Sequence, residues 1–137
     1  MASLKSIKAA LEARLVAIAS PLPTQWENVV FAPPTDGGAY QAADLLPASP
    51  DNPTLGDGFY REQGLLQVTL SYPLNGGSGP AYAKAETIRD WFPRGLTVSS
   101  GGITVRIDRT PAIGPKRVVQ DRFTLPISVR YSADVFS

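Results

Sequence analysis

The sequence predicts an α+β fold in two layers, in which about five or six mostly antiparallel strands pack against two helices. Every convincing strand alternates apolar and polar residues, a pattern typical of antiparallel sheets with one buried face. Two other segments repeat apolar residues at intervals of three and four, which predicts amphipathic helices able to cover that face. The length of 137 residues, with 43% hydrophobic and 18% charged residues, suits a single domain over 1–137.

The first predicted helix spans 3–19. Its apolar stripe consists of Leu4, Ile7, Leu11, Leu15 and Ile18. Ser3 suits the N-cap position, and Ser20-Pro21 closes the helix. The second predicted helix spans 80–92, where Pro80 fits the first turn because its missing N–H costs nothing there.

Three strands are predicted in the first half of the chain, over about 28–32, 38–46 and 62–72. Prolines on both sides of the first favour an edge position, since proline cannot donate to a strand ladder. The third has the strongest alternation, with Leu66, Val68 and Leu70 on one face.

The last third of the chain is predicted to be rich in strands. A hairpin over 96–109 turns at Gly101-Gly102, and a long final strand covers 122–133. The segment between them, 110–121, is predicted to be a loop.

Composition excludes several function classes. The chain has no cysteine and no histidine, so thiolate chemistry, the common zinc sites and the Ser–His–Asp arrangement are excluded. The net charge of +1 is unlike a dedicated nucleic-acid binder. No segment is long and apolar enough for a membrane span, and charges interrupt the N-terminal apolar residues, so no membrane partner and no secretion signal are expected.

Charge is unevenly distributed along the chain. Residues 1–93 carry six basic and nine acidic side chains, whereas residues 94–137 carry seven basic and three acidic ones. Such polarity suits head-to-tail contact between identical subunits, although two solvated faces explain it equally simply.

No motif predicts catalysis or a cofactor. The run GGSGPAYAK, at 76–84, lacks the Gly-Lys-Ser/Thr ending of a phosphate loop, and Tyr82 replaces the third glycine of a dinucleotide-binding pattern. Glu27 and Asp44 are the carboxylates that folding could bring together. We therefore predict no catalytic residue, no cofactor and no metal.

The stretch DNPTLGDGFYREQG, at 51–64, half-matches a calcium loop, but its third and fifth positions are Pro53 and Leu55, which offer no side-chain oxygen. We interpret 51–58 instead as an exposed loop that contacts another protein, because aromatic residues beside arginine are typical of interfaces. The alternative is that the two aromatics tuck under their own loop. The candidate interface residues are Asp51, Asp57, Phe59, Tyr60, Arg61, Glu62, Val135 and Phe136.

Three arginines on the polar faces of the late strands form a candidate basic face. They are Arg106, Arg122 and Arg130. Such a face would meet an acidic partner or passing DNA without reading its sequence, and the simpler alternative is a solvated sheet face.

An ordered series of segments over most of the chain resembles the tail-terminator-like proteins of long-tailed bacteriophages. The series comprises KSIKAALEARL, WENVVFAPPTDGGAY, LLPASPDNPTLGDGFYREQG, LQVTLSYPLNGG, SSGGITVRIDRTPAIGP and DRFTLPISVRYSAD. The resemblance implies a structural virion protein, assembled in the host cytoplasm, that forms a hexameric ring on the last ring of tail-tube subunits. Such a ring stops tube growth and provides the surface that joins the head.

The resemblance also implies the partners: further copies of the same chain, the major tail tube protein, and head–tail connector or neck proteins. DNA would pass through the lumen without sequence-specific binding. The contact loop at 51–58 would then reach a neighbouring subunit or the tail tube. Two alternatives stay open, another head–tail joining protein and a small phage-encoded enzyme that uses Glu27 or Asp44.

Overall fold

The computed structural model describes residues 3–56 and 58–136 of the chain. Its helices are α1 (Ser3–Val16) and α2 (Gly79–Trp91). Its strands are β1 (Thr24–Trp26), β2 (Tyr40–Pro47), β3 (Phe59–Pro73), β4 (Thr97–Ser100), β5 (Ile103–Ile107), β6 (Ala112–Ile113), β7 (Arg117–Val119) and β8 (Arg122–Phe136). The predicted α+β fold, with two helices and a mostly antiparallel sheet, is confirmed.

The sheet has the order β1-β2-β3-β8-β5-β4, and β6 and β7 also pair with β8. Its centre is the antiparallel pair β3–β8, which runs unbroken from Phe59 opposite Phe136 to Pro73 opposite Arg122. The second edge of β8 is paired in succession by β5, β6 and β7. The last two strands, β6 and β7, lie in the segment 110–121, which was predicted to be a loop. The sequence does not show them because strands of two or three residues are too short for alternation to be visible.

Both helices cover the same face of the sheet and share one hydrophobic core with it. Side chains at every second position of the two central strands point into this core. The strand residues buried there include Leu66, Val68, Leu70, Leu125, Ile127 and Val129, and the helix residues include Ile7, Leu11, Leu15, Ala81, Ala85 and Ile88. The opposite face of the sheet, which we call the open face, has no helix from the described part of the chain packed on it.

The first helix is shorter than predicted. It ends at Val16 rather than at residue 19, and its last turn closes through bonds from Ala17 to Arg14 and from Ile18 to Leu15. Leu4, predicted in the apolar stripe, is 40% exposed, whereas Ser3 is buried. The reason is that Ser3 finds a polar partner inside the subunit, as described below.

The strand predicted over 28–32 is wrong. The paired residues are Thr24–Trp26, which run parallel to β2, while the chain turns immediately afterwards with Asn28 at a φ of 55°. The Glu27 carboxylate accepts the Leu45 backbone N–H at 2.7 Å and so occupies the place of the next ladder bond. The Glu27 side chain therefore ends β1 at Trp26, although the apolar residues that follow favoured a strand.

The C-terminal turns of the two helices are tied by Arg14 and Trp91. The Arg14 guanidinium donates two hydrogen bonds to the Trp91 carbonyl, at 3.1 and 2.8 Å, and lies 3.8 Å from the centroid of the indole ring. The indole N–H donates in return to the Arg14 carbonyl at 2.6 Å. Each contact satisfies a carbonyl oxygen near a helix end, where partners within the helix run out.

A glycine at the centre of the sheet allows the neighbouring strand and a buried tyrosine to approach the backbone closely. Gly64 pairs with Pro47 on one side and Tyr131 on the other. A Cβ at this position would lie 2.5 Å from the Leu46 carbonyl oxygen and 2.7 Å from the Tyr131 hydroxyl. Any larger residue would therefore push the strands or the buried Tyr131 ring aside.

We expect Gly64→Ala to destabilise the fold by about 1–3 kcal/mol, the usual cost of overpacking. Gly58→Ala is the matched control, because a Cβ there meets nothing within 4 Å. Urea unfolding of the two variants measures the difference. Equal midpoints would show that the sheet relaxes around the added methyl group.

Candidate interaction surfaces

The hairpin formed by β2 and β3 continues past Pro47 as an extension that we call the arm, residues 48–63. Asp51 and Arg61 exchange two backbone hydrogen bonds of 2.8 Å, and Ala48 donates its N–H to the Gln63 carbonyl at 2.9 Å. The described residues of the tip, 52–56 and 58, are all exposed, and Leu55 is fully exposed. Asp57, a candidate interface residue, lies outside the described residues.

The outward side of the arm base carries an aromatic pair and an ion pair. Phe59 and Phe136 stack across β3 and β8, with ring centroids 5.0 Å apart. The Arg61 guanidinium donates to the Asp134 carboxylate at 2.8 Å. Phe136 is 66% exposed, so this predicted contact residue presents apolar surface to solvent.

The inward side of the same segment is not available for contact. Glu62 is 7% exposed and accepts a hydrogen bond of 2.9 Å from the Ser3 hydroxyl, while Val135 is fully buried. Tyr60 is half-buried, with its hydroxyl 3.3 Å from the Ser3 hydroxyl. The prediction that Glu62 and Val135 are interface residues is therefore wrong, because strand alternation turns them toward α1 and the core.

Buried beside Glu62 lies Tyr131, a residue that the sequence analysis did not select. Its hydroxyl has no hydrogen-bond partner within the described part of the chain. Burial and the charge of Glu62 raise the pKa of Tyr131 to about 12. Alternation along β8 identifies Tyr131 as inward-facing, but nothing in the sequence shows that its hydroxyl lacks a partner.

Arg122, one of the three residues predicted to form a basic face, is held by the protein itself. Its guanidinium donates to the Ser71 hydroxyl and carbonyl, both at 2.9 Å, and to the carbonyls of Gly37 and Gly38, both at 2.7 Å. It also lies 5.0 Å from the centroid of the Tyr40 ring. Arg122 thus fastens the loop between β1 and β2 to the open face.

The other two predicted arginines lie far from Arg122. Arg130 is exposed and lies eight residues away along β8, about 27 Å at the usual rise of a strand. Arg106 donates to the Asp108 carboxylate at 3.2 Å, and Ser132 donates to the same carboxylate at 2.8 Å. The prediction of one basic face is therefore wrong as a continuous surface, although all three residues lie on the open face.

The structure brings together the two carboxylates singled out in the sequence. Glu27 and Asp44 line one cleft of about 620 Å³ at the β1–β2 edge. Burial and the charge of Glu27 raise the pKa of Asp44 above its usual value. Because the Glu27 carboxylate is engaged with a backbone N–H, its observed role is structural.

Within residues 3–56 and 58–136, no group of three or more acidic side chains is placed to hold a metal ion. In the same ranges, no helix is long and apolar enough to cross a membrane.

Comparison with known proteins identifies the family. The family described as phage tail terminator protein matches residues 6–131, nearly the whole chain. The chain belongs to the phage tail terminator family. This membership makes it a structural protein of a phage tail, and hence a virion component, in a family that is not enzymatic.

A solved structure shares the fold of this chain. It is 32% identical in sequence, it covers 96% of this chain and 95% of its own, and its TM-score is 0.77. No curated protein matches the chain.

We expect Arg122→Lys to destabilise the fold by about 1–2 kcal/mol, because a lysine cannot replace hydrogen bonds that diverge from one guanidinium. Hydrogen exchange should rise in residues 35–39, the loop that Arg122 holds. Arg130→Lys is the control, and it should change neither quantity. Unchanged exchange in 35–39 after Arg122→Lys would contradict a fastening role.

We expect Tyr131→Phe to alter the alkaline stability of the protein. The pKa of Tyr131 is raised on folding, so stability is intact below about pH 10, the unfolded value, and falls by about 2–3 kcal/mol toward pH 12. The phenylalanine variant lacks this part of the loss. At neutral pH it should be as stable as the wild type or more so, since a buried hydroxyl without a partner is removed.

Urea unfolding at neutral pH and between about pH 10 and pH 12 tests this expectation. Tyr82→Phe is the control, because Tyr82 is exposed on α2. Identical alkaline losses in the wild type and in Tyr131→Phe would contradict it.

Proposed function

We propose that this protein is the tail terminator of its phage. Copies of the chain form a ring, a hexamer, on the last ring of the tail tube, stop its growth, and present the surface to which the head is joined. The observation that carries this proposal is the family match over residues 6–131. The ring would be assembled in the host cytoplasm and lie at the head-proximal end of the tail.

The proposed partners follow from this position. They are neighbouring copies of the chain, the major tail tube protein below, and head–tail connector or neck proteins above. DNA passes through the lumen without sequence-specific contacts. A net charge of +1 is compatible with such passage, since it gives the protein no strong attraction to the duplex.

The arm has properties that suit it to contact a neighbouring subunit or the tail tube. Its base is held from inside by the Ser3–Glu62 hydrogen bond and from outside by the Arg61–Asp134 ion pair. A loop whose base is already held in place loses less conformational entropy on binding than a loop that is free at its base. Leu55, fully exposed at the tip, supplies apolar area that contact would remove from water.

The proposal is tested by assembling tails with and without this protein and measuring tail lengths by electron microscopy. Tails that lack the protein should be over-long or variable in length and should not join heads. Purified wild-type protein should restore both properties. Tails of normal length that join heads in its absence would overturn the function, and density on the head side of the joint would indicate another neck protein.

For the arm, we expect Leu55→Asp to abolish capping without loss of stability, because the side chain touches little within the subunit. Leu74→Asp is the matched control, since Leu74 is a partly exposed leucine just beyond the other end of β3. Tail-length distributions with each variant measure the effect. Normal capping by Leu55→Asp would show that the tip is not a contact.

A further inference from the structure

The cleft at the β1–β2 edge, which we call the acidic cleft, has a one-sided charge. Glu27 and Asp44 are its charged lining residues within the described part of the chain. The remaining lining residues are uncharged: Gln25, Trp26, Asn28, Val29, Val30 and Ala42. Two carboxylates therefore share a concave surface without a basic side chain in its lining.

Two exposed valines lie at the rim of the acidic cleft. Val30 is fully exposed and Val29 is 56% exposed. Asp44 is partly desolvated and lies in the field of Glu27, which raises its pKa. The exposed valines leave apolar surface in water, and the two neighbouring carboxylates repel each other. A cationic partner that covers the cleft would lower both free-energy costs.

Farther along the strand order lies what we call the arginine cluster: Arg94, Arg106, Arg109 and Arg130. Arg94 and Arg109 line a cleft of about 340 Å³ with Asp108, and Arg130 lines an adjoining cleft that shares Asp108. That carboxylate already accepts hydrogen bonds from Arg106 and Ser132. Among the described residues, Arg94, Arg109 and Arg130 form no ion pair, so the cluster keeps a positive excess.

The two surfaces lie at different places in the strand order. The acidic cleft lies at β1 and β2, whereas Arg94 and Arg109 adjoin β4 and β5, and Arg130 on β8 lies between these two ends of the sheet. Complementary surfaces at different places on identical subunits meet head to tail. Repeated contacts of that kind close into a ring when the rotation between subunits allows it.

We propose that the acidic cleft of each copy receives the arginine cluster of the next copy, and that this contact joins the subunits of the ring. The inference rests on the proposed terminator function, and it names the surfaces through which the ring closes. A second copy is the occupant that the observations favour, because the same chain carries both halves of the charge complement. A nucleic acid or an acidic partner would fit the arginine cluster but would leave the acidic cleft and its valines uncovered.

The test uses two variants, each of which reverses the charge of one of the two surfaces. In the first, Glu27→Gln is combined with Asp44→Lys, which makes the acidic cleft basic while a side-chain oxygen remains to accept the Leu45 N–H. In the second, Arg94→Glu is combined with Arg109→Glu, which gives the cluster a negative charge. Each variant alone then places like charges at every contact, which opposes ring closure.

Tail capping is titrated with wild-type protein, with each variant, and with an equimolar mixture of the two variants. Each variant alone should need about tenfold more protein than the wild type, or fail to cap. The mixture should restore capping, because the basic cleft of one variant meets the acidic cluster of the other in an alternating ring. A single chain that carries all four changes should also cap.

Capping at wild-type levels by each variant alone would overturn the interface while leaving the terminator function intact. Folded variants that fail alone and in the mixture would also overturn it, because the clefts would then meet a different partner, such as the tube protein. Failure of the wild type itself would remove the proposed function, and the interface with it. Folding of each variant is checked by circular dichroism and urea unfolding.

A cysteine pair keeps the test decisive if a charge variant does not fold. The natural chain has no cysteine, so one batch carrying Val30→Cys and a second carrying Thr110→Cys have one thiol per subunit. Mixed and assembled on tubes, they should form a disulfide between unlike subunits, since the two thiols then lie close together. The control batch carries Leu74→Cys in place of Thr110→Cys and should not cross-link. Equal cross-linking in the control, or none in the test pair, overturns the interface.

Discussion

The unbroken pairing of β3 with β8 is the constraint on which the rest of the molecule depends. Each strand contributes fifteen residues in one continuous antiparallel register. Side chains alternate across a strand, so this single register decides for both strands which residues enter the core and which face outward. The helices then have only one apolar face to cover, and they bury it with one stripe each. A slip of one residue would exchange the two faces.

The same register shapes the functional surfaces. Because β3 begins at Phe59, the arm grows directly out of the central strand and inherits its direction. Phe59 and Arg61 face outward toward Phe136 and Asp134, while Glu62 turns inward to Ser3. The arm is thereby tied to the first helix and to the C-terminal strand at once.

Several features could be predicted from the sequence because their signals are local. Apolar spacing marked both helices, and alternation marked β3, β5 and β8 well enough to place the sheet in the right fold class. Tyr60 and Glu62 were within reach of the same reasoning, since even-numbered positions counted back from Leu66 fall on the buried face. The β1 segment was not within reach, because the Glu27 side chain that ends it bonds to Leu45, which is distant in sequence.

By itself the sequence determined the class of fold, the absence of cysteine and histidine chemistry, and the family, since each depends on residue identity and order. Tertiary structure alone decided which charges are satisfied. The Arg122 guanidinium donates hydrogen bonds to the carbonyl groups of Gly37 and Gly38, whereas Arg130 is exposed on the same strand and the same face. The tertiary structure also places Glu27 and Asp44 in one cleft, and Arg94 and Arg109 in another cleft elsewhere on the sheet. The physical reason is that hydrogen bonds and charges act through space, and only the folded register sets those distances.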